Sequence, residues 1–374
     1  MITAAVCGAI CAWSLFREAH GGKSEPHPGP RIVQLGKFDS LQVFRGLAAT
    51  GVVFQHTAMS TGSFVGKLPA GLNSIFEHGF LGVDFFFVLS GFIILSSHFD
   101  DEKSVAAMRT YGSKRFVRIF PPYWPVSIAL IISYLLLPNL SAGNRSDFSL
   151  LSSLLLLPDA HPPALSVAWT LIHEVLFYLV FCLFFVSNRI FLIFVSAWVL
   201  AICASRWLAD GGGLSPLPAR MLNPVNLEFV LGMSVAYLAR VVSNRFAMAW
   251  ICLGCVVFVL LLFWSFSEQH RILFGLPFSA LVLGAVLLER QGRIAMPRSM
   301  VLMGDASYAI YLVHNPLVSL TSRLVGRLPG LASWGMGMFM GVASSLVAGV
   351  LYHLLMEKPL IRLFRRQFDR LASR

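Results

Sequence analysis

Runs of about 20 apolar residues, the length that crosses the hydrocarbon core of a bilayer, recur from Asp39 almost to the end of the chain, with short polar stretches between them. Ten runs predict ten helical spans, near residues 39–62, 79–98, 117–138, 164–186, 188–208, 222–241, 247–266, 271–289, 301–321 and 335–356. The pattern is least regular in 188–208, which has Arg206 near its end, and in 301–321, interrupted by Asp305, His314 and Pro316. Ahead of them, residues 2–16 are apolar but short, and make an eleventh crossing only if they insert. Residues 17–38 are polar and rich in Gly and Pro, as linkers are. The expected fold is all-α, a polytopic transmembrane helical bundle. Its expected divisions are an N-terminal hydrophobic segment and linker (1–38), one membrane domain (39–358) and a basic tail (359–374).

Composition sharpens this reading. Only 13% of the 374 residues are charged and 56% are hydrophobic, whereas a soluble domain carries about 25% charged residues. The mean hydropathy is +0.73. In a soluble protein the net charge of +11 would raise nucleic acid as a partner. Here the Lys and Arg residues lie between apolar runs. Of the 29, 21 fall on the side that holds residues 17–38, 99–116, 187–189, 240–246, 290–300 and everything after 356, with Arg118 counted there. Seven fall on the other side, and Arg45 lies within a span. The positive-inside rule then places both ends of the ten-span core in the cytoplasm of a bacterial cell, with the bilayer as partner and no nucleic acid. The six cysteines lie in apolar runs, without the spacing of a metal site.

Ionisable residues at bilayer depth are costly and are functional candidates by default. Arg45 and His56 are 11 residues apart in the first span, which on a helix puts them on one face, separated by about 16 Å along the axis. A cation near the cytoplasm with an imidazole deeper in suits a long anionic ligand whose reactive end must reach mid-membrane. Asp84 lies among phenylalanines in the second span and needs a partner, for which Arg45 and Arg118 are candidates. Arg115 and Arg118, in the expected loop before the third span that runs on to Tyr123 and Trp124, would face one way on a helix and present two guanidinium forks suited to phosphate. In the fourth span Trp169 and His173 share one stripe, and Glu174 shares another with Tyr178. Glu174 is placed to orient His56 or polarise a hydroxyl. Tyr308 and His314 precede a helix-breaking Pro316. Taken singly, His173, Glu174, Tyr308 and His314 read better as interhelical hydrogen-bonding groups, and Asp84 reads equally well as half of a structural ion pair.

In order, FDSLQVFRGLAA with His56, GVDFFFVLSGFII, RFVRIFPPYW, AWTLIHEVLFY, LGMSVAY, GDASYAIYLVHNP and EKPL resemble blocks of the integral-membrane acyltransferase 3 family, from Asp39 to Pro359. That resemblance implies O-acylation of a glycan or lipid-linked sugar from an acyl-CoA donor, most often acetyl-CoA, with no permanently bound cofactor. On this expectation Arg115 and Arg118, flanked by Tyr123 and Trp124, hold the donor phosphates and Arg45 lines the channel. His56 is the general base and Glu174 supports it. The alternative is a transporter exporting a glycan or lipid-linked precursor, which also has intramembrane charges and a broken helix.

Overall fold

A computed structural model describes residues 38–136, 147–208, 214–264, 268–292, 295–328, 330 and 332–372. The apolar segment 2–16 and the linker up to residue 37 lie outside them. Among the described residues every regular element is helical, as the spacing of apolar runs requires. The helices are α1 (Asp39–Phe64), α2 (Ala70–Glu77), α3 (Leu81–His98), α4 (Val105–Leu136), α5 (Leu150–Leu155), α6 (Trp169–Phe181), α7 (Leu183–Val186), α8 (Asn188–Leu208), α9 (Pro216–Met221), α10 (Asn226–Val241), α11 (Ala247–Phe263), α12 (Gly275–Glu289), α13 (Arg298–Asp305), α14 (Ser307–Gly326), α15 (Trp334–Tyr352) and α16 (Lys358–Ala372).

Seven helical stretches among the described residues are long and apolar enough to cross a membrane: Ala70–His98, Val105–Leu136, Ser166–Val186, Asn188–Ser205, Asn244–Phe263, Arg271–Glu289 and Trp334–Arg370. The other three expected spans are also helical but fall short on composition or length. Helix α1 carries Arg45, Gln55, His56 and a row of Ser and Thr. Helix α10 has only 16 residues. The ninth span is split into α13 and α14 at Ala306. These three pack inside the bundle, α1 against α3, α13, α14 and α15, and α10 against α3 and α12. Their polar groups therefore meet protein, where internal partners offset the cost of desolvation. By contrast, α11 and α15 turn Val259, Leu260, Phe263, Phe339, Val347 and Leu351 outward, the arrangement expected when lipid is the solvent.

Two expectations about helix breaks are corrected. The stretch before Tyr123 is not a loop: α4 runs unbroken for 32 residues through Pro121, Pro122 and Pro125. Each proline removes one helical N–H without ending the helix, and two other carbonyls of this region accept hydroxyls from neighbouring helices. Tyr352 donates to Pro122 O at 2.7 Å, and Tyr308 to Ile119 O at 2.9 Å. Pro316 likewise lies inside α14 without ending it.

Helices α3 and α10 approach each other closely, and the contact depends on glycine. A Cβ on Gly91 would meet Phe229 O at 2.0 Å, and one on Gly232 would meet Val88 O at 1.8 Å. Both obstacles are backbone, so neither can move aside. At one end of the bundle, Glu289 accepts from the N–H groups of Asp39 and Ser40, Arg240 pairs with Asp100 at 2.8 Å, and Arg290 donates to Ala239 O. Segments predicted to share a membrane side are thus joined at one end.

Candidate active site

A cavity of about 330 Å³ opens at this basic end. Its wall on one side is α3, from Val83 to Ile94, a rise of about 16 Å. Lys114, Arg115 and Arg118 enter from α4, Arg365 from α16 and Arg45 from α1. Glu174 and Tyr178 come from α6, and Ser307, Tyr308 and Tyr311 from α14. Lys114 and Arg365 are exposed, whereas Thr170 and Tyr311 at the other extreme are buried. The cavity therefore leads from a charged mouth to an uncharged floor.

The cations differ in how far they are already satisfied. Arg118 Nη1 donates to Glu357 Oε1 at 2.8 Å, and the other carboxylate oxygen of Glu357 is 2.7 Å from His353 Nδ1. Glu357 is fully buried. It is held there by a five-residue π-turn, His353–Glu357, between α15 and α16. Such insertions recur at functional positions because they re-aim side chains without ending a helix. Arg115 has no carboxylate partner among the described residues. Its Nη2 reaches His98 Nε2 at 3.4 Å, and its Nε is buried without any partner. Among the described residues, Arg45 donates only to Gln42 on its own helix, at 3.4 Å. Against five cations stand the carboxylates of Glu174 and Glu357, so the mouth holds surplus positive charge. A buried donor without an acceptor carries a desolvation cost that an anionic ligand removes.

Deeper in, Glu174 Oε1 accepts from Ser90 Oγ at 3.3 Å and from the Tyr178 hydroxyl. Its other oxygen has no hydrogen bond among the described residues. The structure does not bring Glu174 to His56. The side chain against His56 is His314, whose Nε2 lies 3.2 Å from His56 Nδ1, with the rings 5.0 Å apart. His314 Nδ1 contacts Tyr311 O at 2.8 Å and Ile310 O at 3.2 Å. A ring nitrogen facing carbonyls must carry the proton, so His314 Nε2 is an acceptor. His56 Nδ1 in turn faces His314 Nε2 and Val52 O at 3.1 Å, both acceptors, so it too carries its proton. That leaves the lone pair on His56 Nε2, which has no hydrogen bond among the described residues. The ring is half-buried and does not line the cavity. Tyr311, which does line it, packs on His314 with rings 5.5 Å apart.

Several expected site residues are engaged elsewhere. Tyr123 and Trp124 face away from the cavity and donate to Ser153 O at 2.7 Å and Leu154 O at 2.9 Å, which anchors α5. Asp84 pairs with Arg271 at 2.7 Å, not with Arg45 or Arg118. Trp169 lies near the same guanidinium, 6.0 Å from its ring centroid. His173 Nδ1 faces Asn226 Oδ1 at 3.1 Å. Tyr308 lines the cavity, with the Arg118 guanidinium 5.3 Å over its ring. Lys114 and Arg365 were not foreseen. Only the repeat of Ile361, Arg365 and Phe368 at helical spacing signalled the latter.

The Asp84–Arg271 pair is therefore structural, and the arrangement with unspent donors is the cation-lined cavity beside a histidine pair. Comparison with known proteins gives that arrangement a chemical setting. The model of the Acyl_transf_3 family, described as an acyltransferase domain, matches residues 38–353. The chain belongs to this family. It is 32% identical over 305 residues to exopolysaccharide production protein ExoZ of Rhizobium meliloti (strain 1021), an alignment covering 77% of this chain and 91% of that protein. It is 30% identical over 379 residues to acyltransferase MdmB of Streptomyces mycarofaciens, covering 90% and 94%. No solved structure matches. This Acyl_transf_3 member is an integral-membrane acyltransferase, which sets aside the transporter alternative.

Proposed function

We propose that this acyltransferase moves an acyl group, acetyl in the simplest case, from cytoplasmic acyl-CoA to a hydroxyl of an exported glycan. The observation that carries the donor side is the cavity mouth, where Arg45, Lys114, Arg115 and Arg365 have no carboxylate within 4.0 Å among the described residues. Coenzyme A is an anion with a long uncharged arm, and the route from charged mouth to uncharged floor matches that order. The name of ExoZ supports a polysaccharide acceptor. The basic end of the bundle is cytoplasmic on this reading, because loops rich in Lys and Arg stay inside.

In this scheme the thioester reaches past Glu174 toward Tyr311, and the acceptor approaches His56 from the far side. The acceptor oxygen attacks the thioester carbonyl while its proton passes to His56 Nε2. The carbon–sulfur bond then breaks. Coenzyme A leaves as a thiolate and takes up that proton, leaving an ester on the glycan. His314 holds the tautomer that keeps the lone pair on Nε2, as orienting partners do for catalytic histidines. The test is His56→Ala assayed in membranes with labelled acetyl-CoA. Loss of transfer with unchanged protein level is expected, and full retention of acylation would overturn the scheme.

A further inference from the structure

The family match ends at residue 353, yet the chain continues into α16, and α16 reaches the site. Ile361, Arg365 and Phe368 follow one another at four- and three-residue spacing, so they form one stripe. That stripe packs on α4, with the Phe368 ring 5.9 Å from that of Phe116. Between the two helices lies a second cavity, of about 270 Å³. Lys114, Arg118 and Arg365 line this cavity and the first one alike. They are the seam between two compartments.

We propose that α16 completes the donor site: Arg365, with Lys114, grips the phosphates of acyl-CoA, and the nucleoside end lies in the second cavity. This rests on the acyl-CoA reading above and extends it to a segment beyond the matched domain. A donor with a nucleoside at one end, a thiol arm at the other and a diphosphate between them needs two pockets joined by cations. The chemistry of the second pocket agrees. Thr110 and Ser113 donate their hydroxyl protons to backbone carbonyls at 3.0 and 2.9 Å, leaving lone pairs for a base amine. Asp369 repels phosphate but accepts from ribose hydroxyls or the base. Phe368 adds an aromatic face. Lys114 and Arg365 have no carboxylate partner among the described residues, so their charge is free for an anion. The buried Arg118–Glu357 pair at 2.8 Å, one residue before α16 begins, fixes where that helix starts.

The experiment titrates coenzyme A, and separately pantetheine, into the purified full chain in detergent by calorimetry. Arg366→Ala is the control, because Arg366 is exposed and lines neither cavity. Loss of one charge-assisted contact predicts coenzyme A affinity about tenfold weaker in Arg365→Ala. Pantetheine binding should be unchanged, as should coenzyme A binding by Arg366→Ala. The KM for acyl-CoA should rise in Arg365→Ala while kcat is kept. Wild-type protein that binds coenzyme A no more tightly than Arg365→Ala does would overturn the role of α16 alone. Equal weakening by Arg366→Ala would also overturn it, as an effect of bulk charge. Wild-type protein that binds no coenzyme A would overturn the donor reading and this inference together.

Discussion

Arg115 and Arg118 lie one turn apart on α4 and line the same cavity, but their alanine variants should fail in different ways. Arg118 is spent on Glu357, whose side chain is fully buried. Removing one partner of a buried pair costs about 3–5 kcal/mol. One-third of the Arg118 side chain is exposed, and solvent screening there reduces the expected loss to about 2 kcal/mol. Arg115 is spent on nothing comparable: its one hydrogen bond is 3.4 Å long and its Nε has no partner. Arg115→Ala should therefore cost about 1 kcal/mol or less, since it breaks only a 3.4 Å contact with His98 and the placement of the guanidinium over the Tyr111 and Tyr178 rings. Its cost should appear on donor binding. A charge-assisted hydrogen bond contributes about 1.5–3 kcal/mol, so the KM for acyl-CoA should rise roughly 10- to 100-fold, with a smaller fall in kcat. Thermal unfolding in detergent reads the first quantity, and initial rates against donor concentration read the second. Adding Glu357→Gln to Arg118→Ala should recover part of the lost stability. If Arg115→Ala unfolded as readily as Arg118→Ala and left KM unmoved, the division between a spent and an unspent guanidinium would be wrong. If it lowered kcat and left KM alone, Arg115 would act on the transition state instead.

Gly232→Ala should destabilise the protein by about 2 kcal/mol or more, despite the better helix propensity of alanine, because the new Cβ would lie 1.8 Å from Val88 O; an unchanged melting temperature would show that α3 and α10 are not so close. His314→Ala should lower kcat by about 10- to 100-fold with little change in donor KM, part of the roughly 100- to 10,000-fold worth of a positioned general base, and steady-state kinetics would show it; a wild-type kcat would leave His314 without a part in the reaction.

How far the sequence foretold this depends on the distance each feature spans. Helices and their apolar faces are local properties, so the bundle was legible from spacing alone. Arg45 and His56 share α1 as the spacing predicts, but only Arg45 lines the cavity. Partners were not legible. Asp84 finds Arg271 across 187 residues, and His56 finds His314 across 258. Periodicity says which residues share a face but not what that face meets. Composition misled twice about helix ends. The stretch before Tyr123 read as a loop, yet α4 continues through it and through Pro121, Pro122 and Pro125. Pro316 predicted a break that occurs instead near Ala306. Tyr123 and Trp124 sit beside Arg118 in sequence but point to α5, because neighbours in a helix face different ways. The basic tail looked like ordinary positive-inside anchoring. Only its docking on α4 brings Arg365 to the cavity.

The central claim is that the basic cavity takes acyl-CoA and passes its acyl group through the His56 side. Purified protein in sealed vesicles, with acceptor glycan inside and acetyl-labelled coenzyme A supplied on the side of Arg115 and Arg365, tests it directly. Label should appear on the enclosed glycan while coenzyme A accumulates outside, in wild-type vesicles but not in His56→Ala vesicles. Label that stays on coenzyme A in the wild type, or reaches the glycan equally well without His56, would contradict the account.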